Sequence, residues 1–283
     1  MLSDAQTNIV YFSELLQSKP AYKTFCNRLT AVLDKYNICY KFLLGSNDIW
    51  CRDYMPVQVS ESKFIEYRYD PDYLQEKRYR KLKTYPDIVC DEIGLKTCKS
   101  DLILDGGNVI KWRNKVILTD KIISENSAKY LKAELLLRLK SLFEVDSIIL
   151  IPWFRGEKFG HADGMIRFID DDHVLVDGYY LNAKPEFKNK FYKVLRTNNL
   201  TPVEYVFDIQ KQNNKNWGYL NYLQMENLIL FPQFDIDEDE QALEQIKHAF
   251  PKYAAKGQIA TINCNEIIRQ GGVLNCLSWN IKQ

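Results

Sequence analysis

Three histidines and seven cysteines in 283 residues leave few places where an imidazole and a thiol could act together. His161 stands apart, because it lies in Gly160-His161-Ala162-Asp163-Gly164. Read as extended chain entering a strand, an H-x-D pair sends both side chains to one face, since residues i and i+2 point the same way. An imidazole able to act as general acid and base would then share a site with a carboxylate. Taken alone, the pattern fits a hydrogen-bonded loop histidine equally well. Three further clusters have a similar character. Trp50-Cys51-Arg52-Asp53 sets a rigid aromatic and a charged pair before an apolar stretch. Asp105-Gly106-Gly107-Asn108 places two glycines where a strand would disfavour them, which points to close approach of the backbone to another group. Gly271-Gly272 precedes Cys276 by a few residues and leads into a predicted strand. Cys51 and Cys264 read as buried, inert thiols.

The elements that must position these clusters follow from periodicity. Residues 102–110 and 115–118 read as two strands across an Arg113-Asn114 turn, followed by a Ser124-capped helix through Phe143 and a strand at 147–154. This ββαβ order recurs in strands at 165–169 and 173–180, a helix near 185–197 and a strand at 203–209. A third copy runs from 219–231 through a helix opened by the acidic turn 237–240 and closed near Gly257, to a strand at 258–263. Toward the N-terminus stand a helix at 20–36, a strand at 39–44 and an alternating stretch at 55–69. Repeated units of one order suggest a structural repeat closed around an axis, although they share no clear sequence similarity. Each cluster lies at a junction between units, so closure brings the clusters together. No linker interrupts the chain, and residues 1–283 are expected to form a single domain.

Composition narrows the function. With 46% hydrophobic and 27% charged residues and a net charge of +1, the chain is that of an ordinary globular protein without a global field for nucleic acid or anionic lipid. The basic run Lys77, Arg78, Arg80, Lys81 and Lys83 with Tyr79 and Tyr85 reads as a solvated surface rather than a nucleic-acid strip. The acidic cluster 235–240 reads as a helix start rather than a metal site. Apolar stretches fall short of the roughly 20 residues a spanning helix needs, and the N-terminal segment has no leader pattern, so a cytoplasmic location is expected. The odd, scattered cysteines fit neither a disulfide scaffold nor structural zinc.

Four of the motifs in order resemble the agmatine deiminase and bacterial-type peptidyl-arginine deiminase family, a guanidino-group-modifying family with the five-bladed α/β-propeller, or pentein, fold. They are Ser46 through Asp53, Leu104 through Asn108, Gly160 through Phe168, and Gly271-Gly272 through Cys276, and they span about four-fifths of the chain. The resemblance implies that Cys276 is the nucleophile, His161 the general acid/base, and Asp53 and Asp163 the carboxylates that hold a guanidinium. It suggests Trp50 as a pocket wall and Asp48 and Asn108 as further substrate contacts. Asp105 could be structural or substrate-facing, Arg52 is expected to pair with a carboxylate, and Asn221 is left unassigned. Neither metal nor organic cofactor is implied. The expected partner is a small guanidine or an arginine peptide, with no nucleic acid, no membrane and a homo-oligomer allowed.

The chain departs from the family in carrying Val273 and Asn275 before the cysteine, where a third glycine and a histidine are usual, and Tyr54-Met55-Pro56 where Gly-Pro is frequent. The departures leave the chemistry intact and the far end of the substrate open. Agmatine is the substrate expected from family prevalence, with free or peptidyl arginine as the alternative. An amidinotransferase using the same residues, a non-catalytic guanidine binder and a cysteine protease are the rival classes.

Overall fold

In each repeat of this chain a helix carries the chain from one strand to its parallel neighbour. The protein is described by a computed structural model covering residues 1–156, 158–178, 184–207 and 216–283. Its strands, in chain order, are β1 Ile9–Ser13, β2 Cys39–Leu43, β3 Val57–Gln58, β4 Phe64–Arg68, β5 Cys98–Ile103, β6 Ile110–Trp112, β7 Lys115–Thr119, β8 Ser147–Ile151, β9 Ile166–Phe168, β10 His173–Val176, β11 Thr201–Glu204, β12 Leu223–Met225, β13 Leu228–Gln233, β14 Ile259–Asn263 and β15 Trp279–Ile281. Among the described residues they form five three-stranded sheets of one plan. A central strand pairs antiparallel with a short neighbour and parallel with a longer one. The parallel step requires a crossover, which a helix supplies each time. The fold is the expected five-bladed α/β-propeller, closed by β15 pairing antiparallel with β1.

Burial shows the radial order. The short strands β3, β9, β12 and β15 are buried throughout, whereas outer strands such as β2 and β11 alternate with exposed residues. The crossover helices carry one apolar stripe. Pro20–Lys35 starts on proline, whose missing N–H is no loss at that position, and buries Phe25, Leu29 and Leu33 at helical spacing. Pro185–Thr197 repeats the device and buries Phe191 and Leu195.

Several sequence expectations shift in detail. The predicted strand 102–110 is three pieces, β5, a 3-10 turn at Gly106–Asn108 and β6, because the glycine pair turns the chain inward. The predicted 124–143 helix is two, Lys121–Asn126 and Lys132–Phe143, and Ser124 lies inside the first, donating its hydroxyl to the Lys121 carbonyl instead of capping. Pro251 splits the 237–257 helix into Glu238–Ala249 and Pro251–Ala255, since proline cannot donate and crowds the preceding turn. The 55–69 stretch is the hairpin of β3 and β4. Strand 147–154 ends at Ile151, the strand expected at 203–209 is β11 at Thr201–Glu204, and residues 179–180 and 208–209 of the expected strands lie outside the described residues. Among the described residues no helix is long and apolar enough to cross a membrane.

Candidate active site

The four motifs converge at one end of the axis, all on connections between strands. The short helix Cys51–Tyr54 carries Asp53, the 3-10 turn Gly106–Asn108 follows Asp105, the segment before β9 carries His161 and Asp163, and the short helix Leu274–Leu277 carries Cys276. Strand β9 begins at Ile166, so the His161–Asp163 pair sits in a turn. Their alignment comes from contacts, not from strand alternation: the Asp163 N–H donates to the Gly107 carbonyl at 3.1 Å.

A cavity of about 190 Å³ opens here, lined by the buried Asp48, Asp53, His161 and Cys276, by the half-buried Trp50, Tyr73, Tyr79 and Phe159, and at its solvent mouth by the exposed Lys158. Tyr79 belongs to the basic run, so that strip forms part of the cavity wall as well as surface. The imidazole is held between two carboxylates. His161 Nδ1 lies 3.5 Å from Asp53 Oδ1 and Nε2 lies 3.0 Å from Asp105 Oδ2. Asp163 does not line the cavity but stands behind the thiol, its Oδ2 accepting from Cys276 Sγ at 3.5 Å, Asn275 Nδ2 at 2.8 Å and Asn221 Nδ2 at 3.0 Å.

The glycine pairs make this packing possible. A Cβ on Gly106 would lie 1.9 Å from the Arg52 carbonyl oxygen, and one on Gly107 would lie 2.7 Å from both Asp53 Oδ1 and His161 Nδ1. One on Gly272 would meet the Trp50 ring at 2.6 Å.

Burial and charge set the protonation of the group. Burial pushes the Asp53 carboxyl up to about 7 against the pull of His161, with Asp105, Asp163 and Asp48 adding to the rise. Burial opposes charge on His161, but Asp53, the Asp105 hydrogen bond and Asp163 outweigh it and hold the imidazolium up to about 10. The Cys276 thiol is pushed well above its ordinary value by burial, then by Asp163 and Asp53. Asp48 rises to about 7 through burial.

Such a set, a thiol and an imidazolium among carboxylates, is suited to holding and attacking a planar cation. The sequence pattern of the Porphyromonas-type peptidyl-arginine deiminase family matches residues 2–281. The chain belongs to this family. It is an enzyme of the deiminase class, a C–N hydrolase acting on guanidino groups. Among relatives, a putative agmatine deiminase of Vibrio parahaemolyticus is 23% identical over 277 residues, covering 83% of this chain and 76% of that protein. The fold is that of solved deiminases. C. jejuni agmatine deiminase superposes with a TM-score of 0.75 at 16% identity, over 100% of this chain and 95% of that one. The agmatine deiminase of Enterococcus faecalis superposes with a TM-score of 0.74 at 16% identity, again over 100% and 95%.

In this deiminase-family chain, Asp48, Trp50, Asp53, His161 and Cys276 share the cavity, whereas Asn108 does not line it. Asn108 is buried, and its Oδ1 accepts from the Thr119 N–H at 2.8 Å, which fixes the turn to β7. Asp48 also caps the Trp50 N–H at 3.0 Å. Arg52 lies near a carboxylate, but that of Asp4, at 3.8 Å, and its Nη2 donates to Asn280 Oδ1 at 2.5 Å. Arg167 also approaches Asp4, at 3.3 Å, so neither Asp53 nor Asp163 is consumed by these arginines.

Sequence reasoning left two participants without a role. Asp105, beside the glycine pair, grips the second imidazole nitrogen. Asn221, on the turn before β12, accepts the N–H groups of Val273 and Cys276, both at 3.1 Å. The signal for Asp105 was its place against Gly106-Gly107; for Asn221 no local pattern existed.

Proposed function

We propose that the protein hydrolyses a small guanidine, agmatine, to ammonia and N-carbamoylputrescine through a covalent intermediate on Cys276, a step of putrescine formation. The observation that carries this reading is the meeting of Cys276, His161 and Asp53 in the wall of one cavity, with the Asp163 carboxylate directly behind the thiol. Carboxylates on two sides of a guanidinium bind its N–H groups in pairs, which orients the central carbon. The cation's arrival beside Cys276 favours the thiolate and offsets the burial that keeps the resting thiol protonated. Sγ then adds to the guanidinium carbon, and the His161 imidazolium passes its proton to the departing nitrogen, which leaves as ammonia. The neutral imidazole takes a proton from water as the water adds to the amidino-thioether carbon. Collapse expels Cys276 Sγ, which takes up the hydroxyl proton as the ureido C=O forms and so returns to the resting thiol.

One observation favours a second reading of the substrate's far end. Lys158 lines the cavity toward its mouth, its Nζ 5.1 Å from the Tyr79 ring centre. A cation there repels agmatine's ammonium and suits the carboxylate of arginine or of an arginine peptide.

Ammonia and ureido-product release from agmatine, arginine and an arginine peptide, assayed side by side with Cys276→Ala as blank, tests the reading. Release from agmatine that vanishes in the variant is expected; turnover surviving in Cys276→Ala or Cys276→Ser would overturn the covalent mechanism. Amidino transfer to an added amine in place of ammonia release would indicate a transferase, and guanidine binding without turnover a binder.

A further inference from the structure

The Lys121 ammonium is buried where no motif predicts a charge. Its side chain is 2% exposed, in the short helix after β7. It donates to the Phe159 carbonyl at 2.8 Å and pairs with Asp72 and Glu125, each at 3.0 Å. Asp105 Oδ2, the oxygen that grips His161 Nε2, lies 3.7 Å away. The Tyr73 and Trp153 rings cover the cation at 5.3 and 5.8 Å. The chain turns tightly around its stem: Gly160 has φ +70°, and a Cβ there would lie 2.7 Å from Lys121 Cδ.

We infer that Lys121 is a positioning residue that joins the cavity mouth to the charge state of the His161 pocket, through Asp72 and Phe159 on one side and Asp105 on the other. The inference rests on the deimination reading. Tyr73 and Phe159 form part of the cavity wall, on the two segments this ammonium ties together, and their rings meet edge to face at 5.0 Å. Asp105 is 2% exposed and its Oδ1 accepts no hydrogen bond among the described residues, so the Lys121 ammonium and the His161 ring beside Oδ2 are the charge partners of this buried carboxylate. The charged groups facing the ammonium are Asp72 from the mouth segment, Glu125 from its own helix and Asp105 from the glycine turn, with His161 beyond Asp105. Removing the ammonium takes away the cation that opposes the rise of Glu125 and leaves Glu125 beside the buried Asp105. Burial and Asp105 already hold Glu125 up to about 7 against the pull of Lys121.

The test is the pH profile of kcat/KM and the KM at the optimum for the wild-type protein, Lys121→Met, Lys121→Arg and Asp72→Ala. Lys121→Met is expected to move the acid limb up by about one pH unit or more, in line with the effect of an opposite charge a few ångströms from a carboxylate, and to raise KM about tenfold. Lys121→Arg should keep the limb in place. Asp72→Ala, at a half-exposed side chain, should raise KM and leave the limb alone. A Lys121→Met protein with the wild-type limb overturns the inference, as does a limb shift of equal size in Asp72→Ala. Should Lys121→Met fail to fold, Glu125→Gln replaces it: the limb then moves to lower pH, and an unmoved limb overturns the inference. A wild-type protein that releases no ammonia strikes the deimination reading, and the inference falls with it; an active wild type with unmoved limbs strikes the inference alone.

Discussion

Asn221 holds the loop that carries Cys276. Its Oδ1 accepts the Cys276 and Val273 N–H groups at 3.1 Å, its backbone carbonyl accepts the Asn275 N–H at 2.9 Å, and its Nδ2 donates to Asp163 at 3.0 Å. One side chain from the turn before β12 thus fixes both the thiol's backbone and the carboxylate behind it.

Asn221→Ala leaves two buried N–H groups without an acceptor, at roughly 1–3 kcal/mol each if neither finds water. The variant is expected to melt several degrees lower and to lose about a hundredfold in kcat, read by thermal denaturation and ammonia release. Wild-type kcat would show that the loop holds its shape without this anchor.

Gly107→Ala forces a methyl group against Asp53 Oδ1 and His161 Nδ1. Displacement of either group by about 1 Å costs on the order of a hundredfold in rate. The expected outcome is a folded protein with kcat down by that factor, and near-normal kinetics would mean that the glycine turn can withdraw from the cavity.

The pH profile follows from the two raised values. Asp53 titrates near 7, so below that pH it is protonated and cannot hold a guanidinium; kcat/KM should fall as pH drops through about 7. His161 titrates near 10, so the proton for the leaving nitrogen is present at neutral pH and is lost above about 10, where activity should fall again. A profile flat from pH 5 to 7 would contradict the placement of Asp53 on the substrate.

Lys158→Glu reverses the charge at the mouth. If the far end of the substrate reaches it, the ratio of kcat/KM for agmatine over arginine should rise about tenfold or more, measured on matched preparations. An unchanged ratio would place the far end elsewhere.

Three ββαβ repeats and the first crossover helix were legible because the longer crossover helices keep an apolar stripe, as in Phe25, Leu29 and Leu33, whereas the number five followed only from the family resemblance, since the second blade's crossover helix, Pro86–Glu92, is too short to carry such a period. The sequence made the site legible where a residue type is costly without a reason, as with Gly106-Gly107 in a would-be strand. What it could not show depends on contacts distant along the chain. Asn108 stands three residues from Asp105, yet one fixes a turn and the other grips His161. Lys121 stands before the helix expected from Ser124, and no local pattern shows that Asp72 and the Phe159 carbonyl close over it. The alignment of His161 with Asp163 was expected from strand alternation and arises from a turn held by Gly107.

The pairing of β15 with β1 joins strands separated by most of the sequence, and Cys276 lies three residues before β15. Contacts of such long separation bear the largest chain-closure cost and are slow to form. The side of the cavity where Cys276 faces Trp50 and Asp53 is therefore complete only once the ring has shut, since the thiol lies on the connection into β15 and the other two on the connection out of β2, in the sheet that β15 closes.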